Sequence, residues 1–324
     1  MRLVRSPVLC NYYVTYRCNA TCHFCDIWER PSPFVKPEEV AQNLQDLKTL
    51  GVRVIDFTGG EPLLHPQIAD FFQMAKKMGF ITTLTTNAIR YPKFAKALRG
   101  QVDMLHFSLD APTAQAHDTI RGVPCFEAVM ESLEIAAKLG EKPDLLFTVF
   151  EENLHYLEPV WDLAQKHKAV LIVNPIFDYN QIGNGGGLSP ASLQKLKAWT
   201  KKKGVYLNAA FLALRQNGGN QIADPVCRAA STTVVISPQN ELVLPCYHLG
   251  LKSFPIENRL KDLYQEPEIQ ALIAMEGRLP ACQGCAINCY MQPSFAVELN
   301  RYWFLALPST LKYNWLKGTW KALF

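Results

Sequence analysis

From Val8 to Asn174 the chain alternates short apolar runs with amphipathic stretches, and this alternation narrows the possible folds more than any other feature. The strand-like runs are Val8–Tyr16, Val52–Phe57, Phe80–Leu84, Met104–Leu109, Leu145–Phe150 and Val170–Val173. One intervening segment opens at Pro37-Glu38-Glu39 in the manner of a helical first turn, carries Leu44, Leu47 and Leu50 at helical spacing, and stops at Gly51. Further helices are predicted over Gln67–Met78, Tyr91–Leu98, Phe126–Leu139 and Tyr156–His167. Six strand–helix units favour a parallel sheet, and right-handed crossovers curl such a sheet into a barrel or part of one. A complete barrel needs eight. The expected fold class is therefore α/β, a partial (β/α)6 TIM barrel occupying residues 1–177.

Ten cysteines are spread unevenly over the 324 residues. Cys18, Cys22 and Cys25 form C-x3-C-x2-C directly after the first strand, and Cys227, Cys246, Cys282, Cys285 and Cys289 form a second group. Cys10 and Cys125 stand alone and read as packing residues. Two clusters far apart in sequence suggest two metal sites. Disulfides fit poorly: no charged segment leading into an apolar h-region precedes the first strand, so a cytoplasmic chain is expected, where disulfides are rare. Three thiols on one short loop can share an inorganic centre, and an iron–sulfur cube held by three thiolates keeps one iron open. Zinc is the competing reading, with His23 or Asp26 as a fourth ligand.

The other strands also end in polar residues: Thr58-Gly59-Gly60-Glu61-Pro62, Thr85-Thr86-Asn87, Ser108-Leu109-Asp110, and Glu151, Glu152 and Asn153. Loops at strand ends converge over a barrel mouth. Paired glycines let backbone approach a ligand closely, although alone they read as a tight turn.

With these residues in place, the chain resembles the radical SAM superfamily. Cys18-x3-Cys22-x2-Cys25 matches the cluster motif of that family, Phe24 takes the aromatic place before the third cysteine, and Thr58-Gly59-Gly60-Glu61-Pro62 matches its GGE motif. The resemblance implies a 4Fe–4S cluster on Cys18, Cys22 and Cys25 whose open iron is chelated by S-adenosylmethionine (SAM). Cleavage of SAM then gives a 5′-deoxyadenosyl radical that abstracts a substrate hydrogen. It further implies Gly59, Gly60 and Glu61 at the methionine amino group, Phe24 at the adenine, and Asn87, Ser108 and Asp110 at the ribose or carboxylate. Arg121, in His117-Asp118-x2-Arg121-Gly122, resembles a loop common in relatives. A flavodoxin- or ferredoxin-type electron donor is the partner such chemistry requires.

Residues 178–223 read as a linker with a helix over Ser192–Lys203, and a second composition begins near Asp224. Thr232–Ser237 and Glu241–Leu244 flank Pro238-Gln239-Asn240, a hairpin signal, with Cys227 and Cys246 on either side. A short helix, Pro267–Met275, leads to Cys282-x2-Cys285-x3-Cys289. This arrangement resembles the SPASM module of the same superfamily and its short form, twitch, and implies a small domain over 224–292 with one auxiliary 4Fe–4S cluster. Which four of the five cysteines bind stays open, as does a zinc ribbon. Asn240-Glu241 departs from the glycine often found before the second hairpin cysteine, but Asn tolerates a left-handed turn.

Residues 293–324 interleave aromatics with Arg301, Lys312, Lys317 and Lys321. Such a tail can close the barrel or lie at a membrane surface, the latter placing the protein peripherally at the inner membrane face and favouring a lipid-like substrate. No stretch approaches the roughly 18 apolar residues of a spanning helix. A net charge of +4 is too small to argue for nucleic acid. The expectation is a radical enzyme acting on a small or lipid-like molecule, with maturation of a ribosomally made peptide as the alternative. A non-catalytic iron–sulfur carrier or zinc scaffold would leave Gly59-Gly60-Glu61 idle.

Overall fold

The computed structural model describes residues 3, 4, 6–177 and 187–319. Ten strands form one sheet: β1 (Leu9–Thr15), β2 (Val54–Gly59), β3 (Ile81–Thr86), β4 (Met104–Ser108), β5 (Asp144–Val149), β6 (Leu171–Pro175), β7 (Val205–Tyr206), β8 (Thr233–Ile236), β9 (Glu241–Leu244) and β10 (Lys252–Pro255). Their order is β10-β9-β8-β1-β2-β3-β4-β5-β6-β7. The six expected strands are sequential parallel neighbours, with helices at Pro37–Thr49, Ile68–Lys77, Tyr91–Leu98, Phe126–Lys138 and Leu157–Lys166 between them. An α/β partial barrel results. An additional helix, Ala114–Arg121, follows β4, and the two-residue β7 extends the parallel set past β6. Most of the expected 178–190 connection, residues 178–186, lies outside the described residues.

Alternation along the strands separates two faces. Ile55, Phe57, Leu84, Phe107, Leu145, Phe147, Leu171 and Val173 pack outward into the main apolar core with the surrounding helices. Their neighbours Asp56, Thr83, Thr85, His106, Asn174 and Tyr206 turn the other way and keep partial solvent access. The inner wall of a complete barrel is filled by branched apolar residues; here these polar groups share it with Leu146 and Ile172.

The sheet does not stop at the boundary expected near Asp224. β8 pairs in parallel with β1, Leu9 opposite Thr233 and Tyr12 opposite Ile236, and continues through the hairpin to β9 and β10. Asn240 takes φ +59° in that hairpin, the left-handed turn its side chain tolerates. Asn43 Nδ2, from helix 37–49, donates to Asn240 Oδ1 (2.8 Å) and to the Tyr12 hydroxyl (2.8 Å), so the barrel holds the turn directly.

The tail forms the helix Arg301–Lys317, whose buried face carries Tyr302, Ala306, Ser309 and Tyr313. It docks at the start of β5. Asp144, 0% exposed, accepts from the Tyr313 hydroxyl (2.7 Å) and pairs with Lys317 Nζ (3.0 Å) and His106 Nδ1 (3.2 Å). The opposite face leaves Phe304, Leu311 and Trp315 exposed, while Trp320, Lys321 and Phe324 lie outside the described residues. Among the described residues no helix is long and apolar enough to cross a membrane.

Burial alone would raise the Asp144 carboxyl, but His106, Lys317 and Tyr313 outweigh it and hold it below its ordinary value. A carboxyl so depressed adds stability that is fully present above its unfolded pKa of about 3.9 and is lost as pH falls through the lower folded value. Asp144→Ala leaves the Lys317 ammonium with the Lys142 carbonyl but without its carboxylate and is expected to cost about 3–5 kcal/mol near neutral pH. The deficit should shrink toward pH 2. Urea unfolding of the two proteins at both pH values measures this, and a difference that does not change with pH would refute the ion-pair account.

Candidate active site

β1 ends at Thr15 and runs into the loop bearing Cys18, Cys22 and Cys25. The end of β2 lies against that loop: Gly60 N donates to Thr15 O (2.9 Å) and Glu61 N to Arg17 O (2.9 Å). A Cβ on Gly60 would sit 2.3 Å from Arg17 O and 2.4 Å from Tyr16 O, and one on Gly59 would sit 2.0 Å from Thr15 O. The close approach that paired glycines permit is therefore made to the cysteine loop itself.

Glu61 is 1% exposed, and both of its carboxylate oxygens accept from donors of this chain. Oε1 accepts from Leu63 N (3.0 Å) and Thr86 Oγ1 (2.7 Å), and Oε2 from Asn87 N (2.9 Å). Burial raises its pKa, and these donors together with Arg121 work against that rise. Asn87 extends the connection, donating from Nδ2 to Asn19 Oδ1 (2.8 Å) inside the cysteine loop. Glu61 and Asn87 thus join the ends of β1, β2 and β3. Ser108 closes β4 and is buried at 5% exposure.

The segment His117–Gly122 supplies more of the site than its sequence signal suggested. His117 Nδ1 accepts from Asp110 N (3.1 Å), with its pKa pulled down to about 3 chiefly by burial, and Asp118 Oδ1 accepts from Cys125 N and Phe126 N to start the next helix. Arg121 then reaches inward. Its guanidinium pairs with Asp110 Oδ2 (2.5 Å), donates to Cys22 Sγ (3.7 Å) and lies 5.4 Å from the centre of the Phe24 ring. Burial opposes its charge, but Asp110 and Cys22 prevail and its pKa is raised. Gly122 (φ +71°) backs onto Thr21, where a Cβ would meet Thr21 Oγ1 at 2.2 Å. Phe24, with Cys22, Cys25 and Phe150, lines an open cleft of about 540 Å³. Asn153, one of the polar strand-end residues, donates from Nδ2 to the carbonyls of Asp110 (3.3 Å) and Thr148 (2.9 Å), whereas Phe150 carries no sequence signal as a site residue.

The second cysteine group is brought together from three segments. Cys227, Cys246, Cys282 and Cys285 line one small cavity with Pro245, His248 and Tyr290. Cys289 is not among its walls; its Sγ lies 3.9 Å from His248 Nε2 on an exposed side chain. Asn220 organises the segments, accepting from Val226 N and Cys227 N through Oδ1 and donating from Nδ2 to the Gly277 and Cys282 carbonyls. Both cysteine groups border the same apolar cluster, in which Tyr13 and Tyr247 stack at 4.4 Å.

Burial pushes the thiols up, Cys18 and Cys246 to about 12 and Cys285 to about 11. Among the described residues no three His, Cys, Asp or Glu side chains converge enough to hold a single ion. A cubane spreads its thiolates over separate irons and does not need such convergence. Soft donors in apolar surroundings, with a guanidinium on one sulfur, fit iron–sulfur ligation.

Residues 12–164 match the family model of the Radical SAM superfamily, so the chain contains a radical SAM domain, the domain of a superfamily of enzymes. Among curated relatives it is 25% identical over 341 aligned positions to the AdoMet-dependent heme synthase of Methanosarcina barkeri, covering 93% of this chain and 97% of that one. Its fold is similar to that of Streptococcus suis SuiB bound to the precursor peptide SuiA (TM-score 0.68, 17% identity, 90% of this chain and 73% of that one). It is also similar to that of native anSMEcpe with bound AdoMet (TM-score 0.65, 16% identity, 98% and 99%).

Gly60→Ala should push the cysteine loop off the end of β2. The expected outcome is loss of about four irons per chain, the content of one cubane, from anaerobically reconstituted protein. Full iron content in this variant would show that the backbone contact does not position the triplet.

Proposed function

We propose that the protein binds a 4Fe–4S cluster through Cys18, Cys22 and Cys25 and an auxiliary 4Fe–4S cluster through Cys227, Cys246, Cys282 and Cys285, and that it abstracts hydrogen from a polar small molecule. The observation that carries this reading is the single cavity lined by four of the five later cysteines, packed against the same cluster of side chains as Cys25. With four thiolates the auxiliary cluster is closed, which suits it to moving electrons. Cys289, outside the cavity, is left free of ligand duty.

When bound, the first cluster and SAM supply a 5′-deoxyadenosyl radical. The chain's own residues hold the setting for it. Arg121 places a positive charge at Cys22 and is itself held by Asp110. Glu61 and Asn87 fix the strand ends around the loop, and Phe24 and Phe150 give the cleft an apolar wall for a nucleobase.

The inner wall supports a polar substrate. Asp56 accepts from Thr83 Oγ1 (2.6 Å), and burial raises its pKa while Thr83 and His106 work against the rise. Such a surface answers hydrogen-bond donors better than a hydrocarbon chain. The relative aligned over nearly its whole length carries a small-molecule product in its name. The SuiB structure was solved with a peptide, which supports a peptide substrate as the second reading.

Reconstituted protein should hold about eight irons per chain and, given dithionite and SAM, release 5′-deoxyadenosine. Replacing Cys18, Cys22 and Cys25 with Ala should abolish release, Cys246→Ala should lose iron yet retain uncoupled cleavage, and Cys289→Ala should keep the full iron content. Iron near four with zinc making up the difference would refute the auxiliary cluster. Comparing metabolites and peptides of cells with and without the gene identifies the substrate, and accumulation of an unmodified peptide would overturn the small-molecule reading.

A further inference from the structure

Arg215 lies on the helix Ala209–Gln216 and is 6% exposed. Among the described residues its guanidinium donates only to backbone carbonyls: Phe211 (3.3 Å), Pro175 (3.0 Å), Ile176 (3.3 Å) and Ala286 (3.1 Å). Its Nε is buried without an acceptor. Burial drags its pKa down to about 10, and the Cys285 sulfur works against that fall. A buried cation without an anion is costly, and protein interiors ordinarily pair it. Arg121 shows the ordinary solution, since it has Asp110. The carbonyls that Arg215 gathers join the end of β6 to the residue after Cys285, so the cation is held in place by the fold.

We propose that Arg215 is a positioning residue whose fixed positive charge is the counter-ion of the auxiliary cluster and raises the potential at which that cluster accepts an electron. The inference rests on the four-cysteine reading above. Net charge near a cluster is one of the levers that set its potential, and a cation in a low-dielectric, water-poor setting is a strong one.

The test uses the full chain with Cys18, Cys22 and Cys25 replaced by Ala, so that any iron present belongs to the auxiliary site. Iron content is read first. A parent without iron overturns the auxiliary cluster, and this inference with it. In an iron-loaded parent, midpoints are compared by spectroelectrochemical titration with Arg215→Gln and Arg215→Lys. The expected result is that Gln lowers the reduced-to-oxidised ratio at the parent midpoint at least tenfold, about 59 mV for one electron, while Lys stays within about threefold. Loading of the Lys variant but not the Gln variant also supports a requirement for charge. A loaded Gln variant with the parent midpoint, an equal shift in both variants, or failure of both to load overturns the proposal, the last two because they assign Arg215 to the carbonyl clamp alone.

Discussion

The site depends on backbone contact between the cysteine loop and the end of β2. Gly59 and Gly60 leave no room for a Cβ against Thr15, Tyr16 and Arg17, and the amides of Gly60 and Glu61 close the gap with two hydrogen bonds. The loop after β1 would otherwise be a free excursion carrying three thiols. Once it is pinned, the Glu61 carboxylate can tie β2 to β3 through Thr86 and Asn87, and Asn87 can return to Asn19 in the same loop. Hydrogen bonds to a charged acceptor are worth about 1.5–3 kcal/mol each, enough to fix a loop whose own backbone has little regular structure.

The second module inherits that frame through the sheet. β8 continues the parallel pairing on the far side of β1, so the strand that launches the first cysteine loop also anchors the hairpin flanked by Cys227 and Cys246. The two groups of thiols consequently border one aromatic layer beside a single continuous sheet. Asn288, at the start of helix Asn288–Val297, reinforces this by donating from Nδ2 to Asn174 Oδ1 (2.6 Å) and Pro175 O (2.7 Å) on β6 of the barrel.

Much of this was legible in the sequence because its physics is local. Strands β1 to β6 and the helices beside them follow from periodicity within a dozen residues, and their observed limits differ from expectation by a few positions at most. The hairpin was legible from Pro238-Gln239-Asn240. Its pairing with β1 was not, because nothing in residues 233–236 encodes a partner more than two hundred positions earlier. Similarly, Tyr313 and Lys317 looked like part of an aromatic and basic tail; their role follows from Asp144, which meets them only in the folded chain. For Glu61 the residue was legible and its hydrogen-bond partners were not. Motif spacing identifies a carboxylate at a strand end but cannot say that Leu63, Thr86 and Asn87 take its lone pairs. Arg121 is the converse case, a modest sequence signal whose weight comes from three contacts made at once.

Two buried arginines, one at each cysteine group, make the electrostatics of the sites unequal. Arg121 touches Cys22 Sγ but shares its charge with Asp110, so the first site meets a nearly neutral pair. Arg215 is surrounded by carbonyl dipoles and retains its full charge beside Cys285. Carbonyl oxygens solvate a guanidinium without cancelling its field at longer range. With both clusters bound as proposed, an added electron would be better stabilised at the second site than at the first. On the proposed assignment of clusters, that inequality gives the pair a direction: the first centre is poised to give up an electron and the second to receive one.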